Sequence, residues 1–282
     1  MNDVLTIAVV GAGTMGLGIA QLAIQHGLPT VLFDLNPAAL EKAQAAIATG
    51  LGRLVEKNKL TPEARDAALA RLAATTDMSL VRADLIIEAV VERLDVKHRL
   101  FQELATLNGP ATILASNTSS LPITQLAAPV PHPERVVGLH FFNPAPLMPL
   151  VEVISGVATA PAVADAVEAL ARRLGKTPVR AADAPGFIVN RVARHYYVES
   201  LKIVEEQVAP FEVVDELLEA SGFKMGPFRL MDLIGVDTNF SVTNAMFASF
   251  HQDAKFRPSR IQQQKVDAGH HGRKTGRGFY IY

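Results

Sequence analysis

Six residues, Gly11 to Gly16 (GAGTMG), constrain this chain more than any other stretch. Before them lies an apolar, β-branched run, Leu5 to Val10, that reads as a buried parallel strand. After them Thr14 to His26 reads as a helix with Gly27 as a plausible C-cap, and Thr30 to Phe33 supplies a second strand ending at Asp34. A glycine-rich turn inside one βαβ unit admits few folds, and its glycines have separate tasks. Gly11 permits the tight turn, Gly13 lets backbone approach a pyrophosphate, and Gly16 lets helix pack closely on strand. Thr14 and Met15 open the helix whose N-terminus would face the phosphates. Asp34, 23 residues after Gly11, is placed to accept bonds from a ribose 2′-hydroxyl and would repel a 2′-phosphate. The expected cofactor is NAD rather than NADP.

The alternation continues. Asn36-Pro37 opens a helix through about Lys57, and Thr61-Pro62-Glu63 opens another. Strands recur at Leu85 to Ala89, Thr112 to Ala115, Val136 to His140 and Val151 to Ile154. A helix at Val163 to Leu174 and a short strand near Val179 follow. This is the pattern of an α/β Rossmann-type, doubly wound, mostly parallel sheet. The segment Ala181 to Gly186 (AADAPG) reads as a linker, and from Phe187 the pattern is helical. The expectation is an NAD-binding domain over 1–184 and a smaller all-helical domain over 185–282.

Composition excludes several classes. With 27 Lys+Arg against 28 Asp+Glu the chain lacks the basic footprint of a nucleic-acid binder. It has no cysteine, so disulfides, thiolate metal sites and thiol nucleophiles are excluded, and a reducing cytoplasm is the expected setting. The N-terminal stretch MNDVLTIAVVGAG has no basic start, and its apolar run is too short for a signal peptide or a membrane span. No metal is expected, because His270-His271 is merely an adjacent pair in a Gly-rich loop.

The stretch His140 to Val153 (HFFNPAPLMPLVEV) sets one histidine and one glutamate among apolar residues and prolines. Two neighbouring strands can join His140 to Glu152, and an imidazole held by a carboxylate is a better base. Strand ends of such a sheet are where ligands bind. SNTSS (Ser116 to Ser120) and Asn190 in PGFIVNR fall at boundaries of that kind, though SNTSS also reads as a helix N-cap and Asn190 as an interdomain cap.

Together these motifs resemble the short-chain L-3-hydroxyacyl-CoA dehydrogenases. GAGTMGLGIA, EAVVE (Glu88 to Glu92), SNTSS, HFFNP, LVEVI, PGFIVNR, GPFRLMDLIGVD and GRKTGRGFY occur in the family's order across the chain. The resemblance implies that His140 is the general base for a 3-hydroxyl, that Glu152 orients it, and that Ser119 and Asn190 position the acyl group. It implies that Glu92, Lys97, Asn143 and Lys274 line the cofactor or closed site. On the CoA side it implies a role for Lys57, beside Arg53; a serine that some members carry seven residues earlier is Gly50 here. Short-chain members act on 3-hydroxybutyryl-CoA and relatives on 3-hydroxyadipyl-CoA. Arg191, Arg194 and His195 are candidates for a distal carboxylate and equally for interface salt bridges. The remaining alternatives are a dehydrogenase of free hydroxy or sugar acids and a non-catalytic NAD-binding protein. The family's second domain forms a homodimer, and apolar positions Phe211, Val214, Leu217 and Leu218 exceed what a small lone domain would bury.

Overall fold

The structure, a computed structural model, describes residues 4–282, so the first three residues of the N-terminal stretch lie outside it. It divides into two compact units between Ala184 and Pro185. The first unit holds β1 (Ile7–Val10), α1 (Thr14–Gln25), β2 (Thr30–Phe33), α2 (Pro37–Glu56), α3 (Pro62–Leu69) and β3 (Leu72–Thr75). It continues with β4 (Leu85–Glu88), α4 (Leu94–Leu107), β5 (Ile113–Ser116), α5 (Ile123–Ala127), β6 (Val136–Phe141), β7 (Leu150–Ser155), α6 (Pro161–Arg173) and β8 (Thr177–Ala182). The strands form one sheet of order β3-β2-β1-β4-β5-β6-β7-β8. Neighbours run parallel except β6 and β7, which are antiparallel.

Local signals explain most elements. Asn36 Oδ1 accepts from Ala38 N at 3.0 Å and Pro37 takes N1 of α2, while Thr61 caps α3 in the same way. α1 differs: Gly13 is its N-cap and gives no side-chain bond. The α1 N-terminus therefore keeps backbone donors for another partner.

Strand side chains alternate between two faces. Ile7, Val9, Ile87, Leu139 and Val153 join one apolar cluster with Ile24 of α1, Ile47 of α2 and Val167 of α6. The opposite parity is more polar. One register row runs Val10, Glu88, Ser116, Gly138 across β1, β4, β5 and β6, and His140 stands two residues beyond Gly138, opposite Glu152. Glu88, Ser116, His140 and Glu152 thus share one face near the C-terminal ends of the parallel strands. Gly138 is glycine because a Cβ there would lie 2.8 Å from Ile154 Cβ and 2.9 Å from Ile123 Cδ1.

Several boundaries differ from the sequence reading. β1 starts at Ile7 rather than Leu5, because the amides of Leu5 and Thr6 bond the Asp84 carboxylate instead of a neighbouring strand. β3 was not expected, since Leu72–Thr75 is a half-exposed edge strand with little β-branched character. β8 is longer than the short strand near Val179 and takes in the first residues of the expected linker.

The second unit comprises α7 (Val189–Glu205), α8 (Phe211–Ala220), α9 (Pro227–Ile234), α10 (Val236–Ser249) and α11 (Arg260–Asp267). Leu201, Phe228, Met231, Val236 and Phe279 form its core. Two buried carboxylates anchor it. Asp215 accepts from Phe228 N, Arg229 N and the Tyr280 hydroxyl, and Asp232 accepts from Phe279 N and Tyr280 N. Of the apolar positions expected to be in excess, Val214 is buried, Phe211 and Leu218 pack on this core, and Leu217 stays exposed. Among the described residues no helix is long and apolar enough to cross a membrane.

Candidate active site

The glycine turn closes tightly on β4. Gly11 has φ +106°, and a Cβ there would lie 2.6 Å from Ala89 O. A Cβ on Gly16 would lie 1.7 Å from Gly11 O, so only glycine lets α1 sit this close to the turn. Nothing lies within 4 Å of a Cβ built on Gly13, which leaves that backbone open to an approaching ligand. Thr14 is exposed and Met15 half-buried beside it. Asp34 has a task beyond the one read from the sequence: Oδ2 accepts from Ala12 N at 2.8 Å and Oδ1 from Asn36 N at 2.9 Å, tying the turn to the end of β2. A cleft of about 670 Å³ opens here, lined by Gly11, Gly13, Asp34, Leu35, Val91 and Leu100 among others.

Beside it, EAVVE and SNTSS form one polar network. Glu88 and Lys97 are both fully buried, with Lys97 Nζ 2.6 and 2.8 Å from the two Glu88 oxygens and 3.0 Å from Glu92. Ser116 Oγ donates to Glu88 at 2.6 Å. Thr118 and Ser120 hydroxyls donate to Glu92, and Ser119 N approaches the same carboxylate at 3.3 Å. Burial pushes the Glu92 carboxyl up, but the Lys97 charge and these hydrogen bonds outweigh it and hold the group below the usual range. SNTSS is therefore a hydrogen-bonded bridge rather than a helix cap. The cap of α5 is Asp183, which accepts from Ile123 N and Thr124 N at 2.9 and 2.7 Å.

His140 and Glu152 face each other across the antiparallel β6–β7 ladder. Nδ1 lies 2.8 Å from Glu152 Oε2, and the residues are 6% and 1% exposed. The Phe142 ring centroid lies 4.5 Å from the imidazole. Asn117 Oδ1 accepts from Phe141 N at 2.9 Å and joins the β5 end to β6. The connection 142–149 carries the exposed Asn143 and is held from β8 side by Lys176, whose Nζ donates to Ala145 O at 2.6 Å and Met148 O at 2.9 Å. Gly18 of α1 admits Ala145 and Pro146, which would lie 3.3 and 3.2 Å from a Cβ.

Comparison with known proteins decides the family. Residues 6–184 match the model for the 3-hydroxyacyl-CoA dehydrogenase NAD binding domain, and residues 186–282 match the C-terminal domain model of the same family. The chain belongs to the 3-hydroxyacyl-CoA dehydrogenase family. Its class is that of an NAD-dependent oxidoreductase. It is 50% identical to the 3-hydroxyadipyl-CoA dehydrogenase of Escherichia coli over 99% of its own length but only 59% of that protein's. It is 42% identical to a probable 3-hydroxybutyryl-CoA dehydrogenase of Deinococcus radiodurans, covering 99% of this chain and 100% of that one. The solved (S)-3-hydroxybutyryl-CoA dehydrogenase of Ralstonia eutropha superposes with a TM-score of 0.96 at 41% identity, over 99% of each chain.

Set against the family's pattern, the first unit of this 3-hydroxyacyl-CoA dehydrogenase homologue brings Ser119 beside Glu92, and Glu92 onto Lys97. Arg53 lies in the last turn of α2 and Lys57 caps it, both exposed. In the second unit Asn190 stands in the first turn of α7, and Lys274 pairs with Asp237 at 2.7 Å. Sequence reading missed Glu88, Lys176 and Asp183 as organisers. The signal for Glu88 was present, because an acid closing the apolar strand LIIE poses the same question as Glu152 in LVEVI. Lys176 and Asp183 act on segments distant in sequence and carry no local signal.

Proposed function

We propose that this chain oxidises an (S)-3-hydroxyacyl-CoA to the 3-ketoacyl-CoA, reversibly, with His140 as general base and Glu152 as its orienting partner. The observation that carries this reading is the 2.8 Å contact between His140 Nδ1 and Glu152 in a buried, register-matched pair. A carboxylate at Nδ1 keeps the proton there and leaves Nε2 to take the substrate's hydroxyl proton. The same carboxylate stabilises the imidazolium that forms, and in reverse the imidazolium returns its proton to the alkoxide. When bound, the nicotinamide accepts the hydride from C3.

The residues present fit that cofactor. The α1 N-terminus lacks a side-chain cap, the approach to Gly13 is open, and Asp34 lines the adjoining cleft. Glu92, Lys97, Asn143 and Lys274 complete its surroundings by family resemblance, and Ser119 and Asn190 hold the acyl group on the same ground. Arg53 and Lys57 offer the cationic surface a polyanionic CoA requires. We infer also a cytoplasmic homodimer: the chain has no cysteine, and Val213, Leu217, Phe223 and Leu233 of the second unit stay exposed. Sedimentation at micromolar concentration should show the dimer.

The decisive assay follows NAD reduction with 3-hydroxybutyryl-CoA and with free 3-hydroxybutyrate. Turnover of the thioester and not of the free acid is expected. The reverse preference would place the chain among dehydrogenases of free hydroxy acids.

A further inference from the structure

Two carboxylates share one ammonium at the end of β4. Glu88 has no solvent exposure, Lys97 is 1% exposed, and the Glu92 side chain is 38% exposed. An ammonium has three N–H groups, and those of Lys97 match three oxygens: both of Glu88, at 2.6 and 2.8 Å, and Oε2 of Glu92, at 3.0 Å. Among the described residues neither carboxylate has another cation within 4 Å. The remaining donors are neutral: Val90 N and Ser116 Oγ to Glu88, and the Thr118 and Ser120 hydroxyls to Glu92. The cluster therefore carries one negative charge in excess.

That charge stands on one particular side of the cofactor cleft. The cleft follows the loop after β4 through Ala89, Val90 and Val91, and Glu88 fixes this loop by accepting from Val90 N at 2.7 Å. In the reading above, Asp34 takes the adenosine half beside β2. A dinucleotide crosses such a sheet at the turn after β1, so its nicotinamide half lies over β4 and β5, between the turn and His140 on β6. Glu92, the open end of the cluster, follows the same loop and joins it to SNTSS at the end of β5.

An excess negative charge there distinguishes the two forms of the cofactor. The oxidised nicotinamide ring carries a positive charge and the reduced ring none, while the rest of the dinucleotide is the same. In a largely buried cluster the effective dielectric is far below that of water, and salt screens little. The neighbouring charges of α4 are of another kind: Arg93 and Arg99 flank Asp95 with more than half of each side chain in solvent, where their field is screened.

We propose that Glu88 is a positioning residue of the cofactor site: by occupying Lys97 it leaves the cluster one negative charge in excess, presented through Glu92, and this charge favours the oxidised cofactor over the reduced one. The proposal rests on the dehydrogenase reading for the place of the nicotinamide. By linkage, the factor that favours binding of the oxidised form makes the bound reduced form the stronger hydride donor.

The test measures Kd for NAD and for NADH by titration calorimetry without substrate. Glu88→Gln removes one negative charge while keeping the shape and leaving Glu92 as the ionic partner of Lys97, and the ratio of Kd for NAD to Kd for NADH should rise by about tenfold over the wild type. Glu88→Asp keeps the charge on a shorter side chain, so both constants can rise while their ratio stays within about twofold of the wild type. Glu92→Gln, which removes the same charge at the open end, should move the ratio in the same direction as Glu88→Gln. A purely structural role weakens both forms equally, so an unmoved ratio in Glu88→Gln would overturn the proposal, as would an equal shift in Glu88→Asp. If Glu88→Gln does not fold, the ratios of Glu92→Gln and Glu88→Asp decide in the same way. Binding without substrate stands apart from the turnover assay: failure to oxidise any thioester would remove the dehydrogenase reading and the place it gives the nicotinamide, whereas an unmoved ratio in an active enzyme removes this proposal alone.

Discussion

At the end of β4 a carboxylate with no solvent exposure is tolerable because Lys97, the Ser116 hydroxyl and the Val90 amide all donate to it. Removing one partner of such a pair leaves an uncompensated charge, so Lys97→Met should cost about 3–5 kcal/mol of unfolding free energy in urea. Adding Glu88→Leu to that variant should restore much of the loss. The His140–Glu152 pair predicts a different signature: His140→Gln should lower kcat by at least about 10² with NAD affinity nearly unchanged. Near-normal turnover would remove His140 from the chemistry. Asp34 implies a lower KM for NAD(H) than for NADP(H), which steady-state kinetics with both cofactors would check.

Elements show which glycines are obligatory. Gly16→Ala drives a Cβ into Gly11 O, so α1 must lift from the turn; a loss of at least about 1–3 kcal/mol and weakened NAD binding are expected. Gly52, in the interior of α2 with nothing near its Cβ position, is the counterpart: Gly52→Ala should gain up to about 1 kcal/mol in thermal unfolding. At this scale the sequence was readable wherever one segment carries its own signal. Gly11, Asn36-Pro37 and the buried run of β1 announced themselves, and β2 fell at its expected bounds. β3 did not, because LAAT owes its strand to pairing with β2. The reversal of β6 against β7 was equally silent, yet it sets His140 opposite Glu152. The same reasoning separates Ser116 and Thr118, whose partners Glu88 and Glu92 come from the end of β4 and the loop after it, from a local helix cap.

Over the whole molecule, carboxylates held by hydrogen bonds and ion pairs set the response to acid. Asp84 is pushed up by burial, but bonds from Leu5 N, Thr6 N and the Thr6 hydroxyl outweigh that and lower it; Asp237, likewise pushed up, is lowered by Lys274 and Thr238. With Glu92, these groups have folded values below their unfolded ones near about 4. Their stabilisation is present above the unfolded value and lost as pH falls through the folded one. Asp215 acts in the opposite sense, since burial raises it and its protonation favours the folded state as pH falls. The lowered carboxylates outnumber this raised one and predict a Tm that drops below about pH 4, and Asp84→Asn should shallow that drop in calorimetry between pH 3 and 7.

The antiparallel ladder of β6 and β7 has a consequence for how such an enzyme diversifies. Pairing in the ladder, not the connection 142–149, fixes the His140–Glu152 contact, and a slip of one residue would turn Glu152 to the opposite face. Insertions and exchanges within the connection can therefore reshape what lies near His140 while the pair stays in place. If His140 and Glu152 act as proposed, directed evolution aimed at 142–149 should change which molecules are accepted before it changes how fast they react.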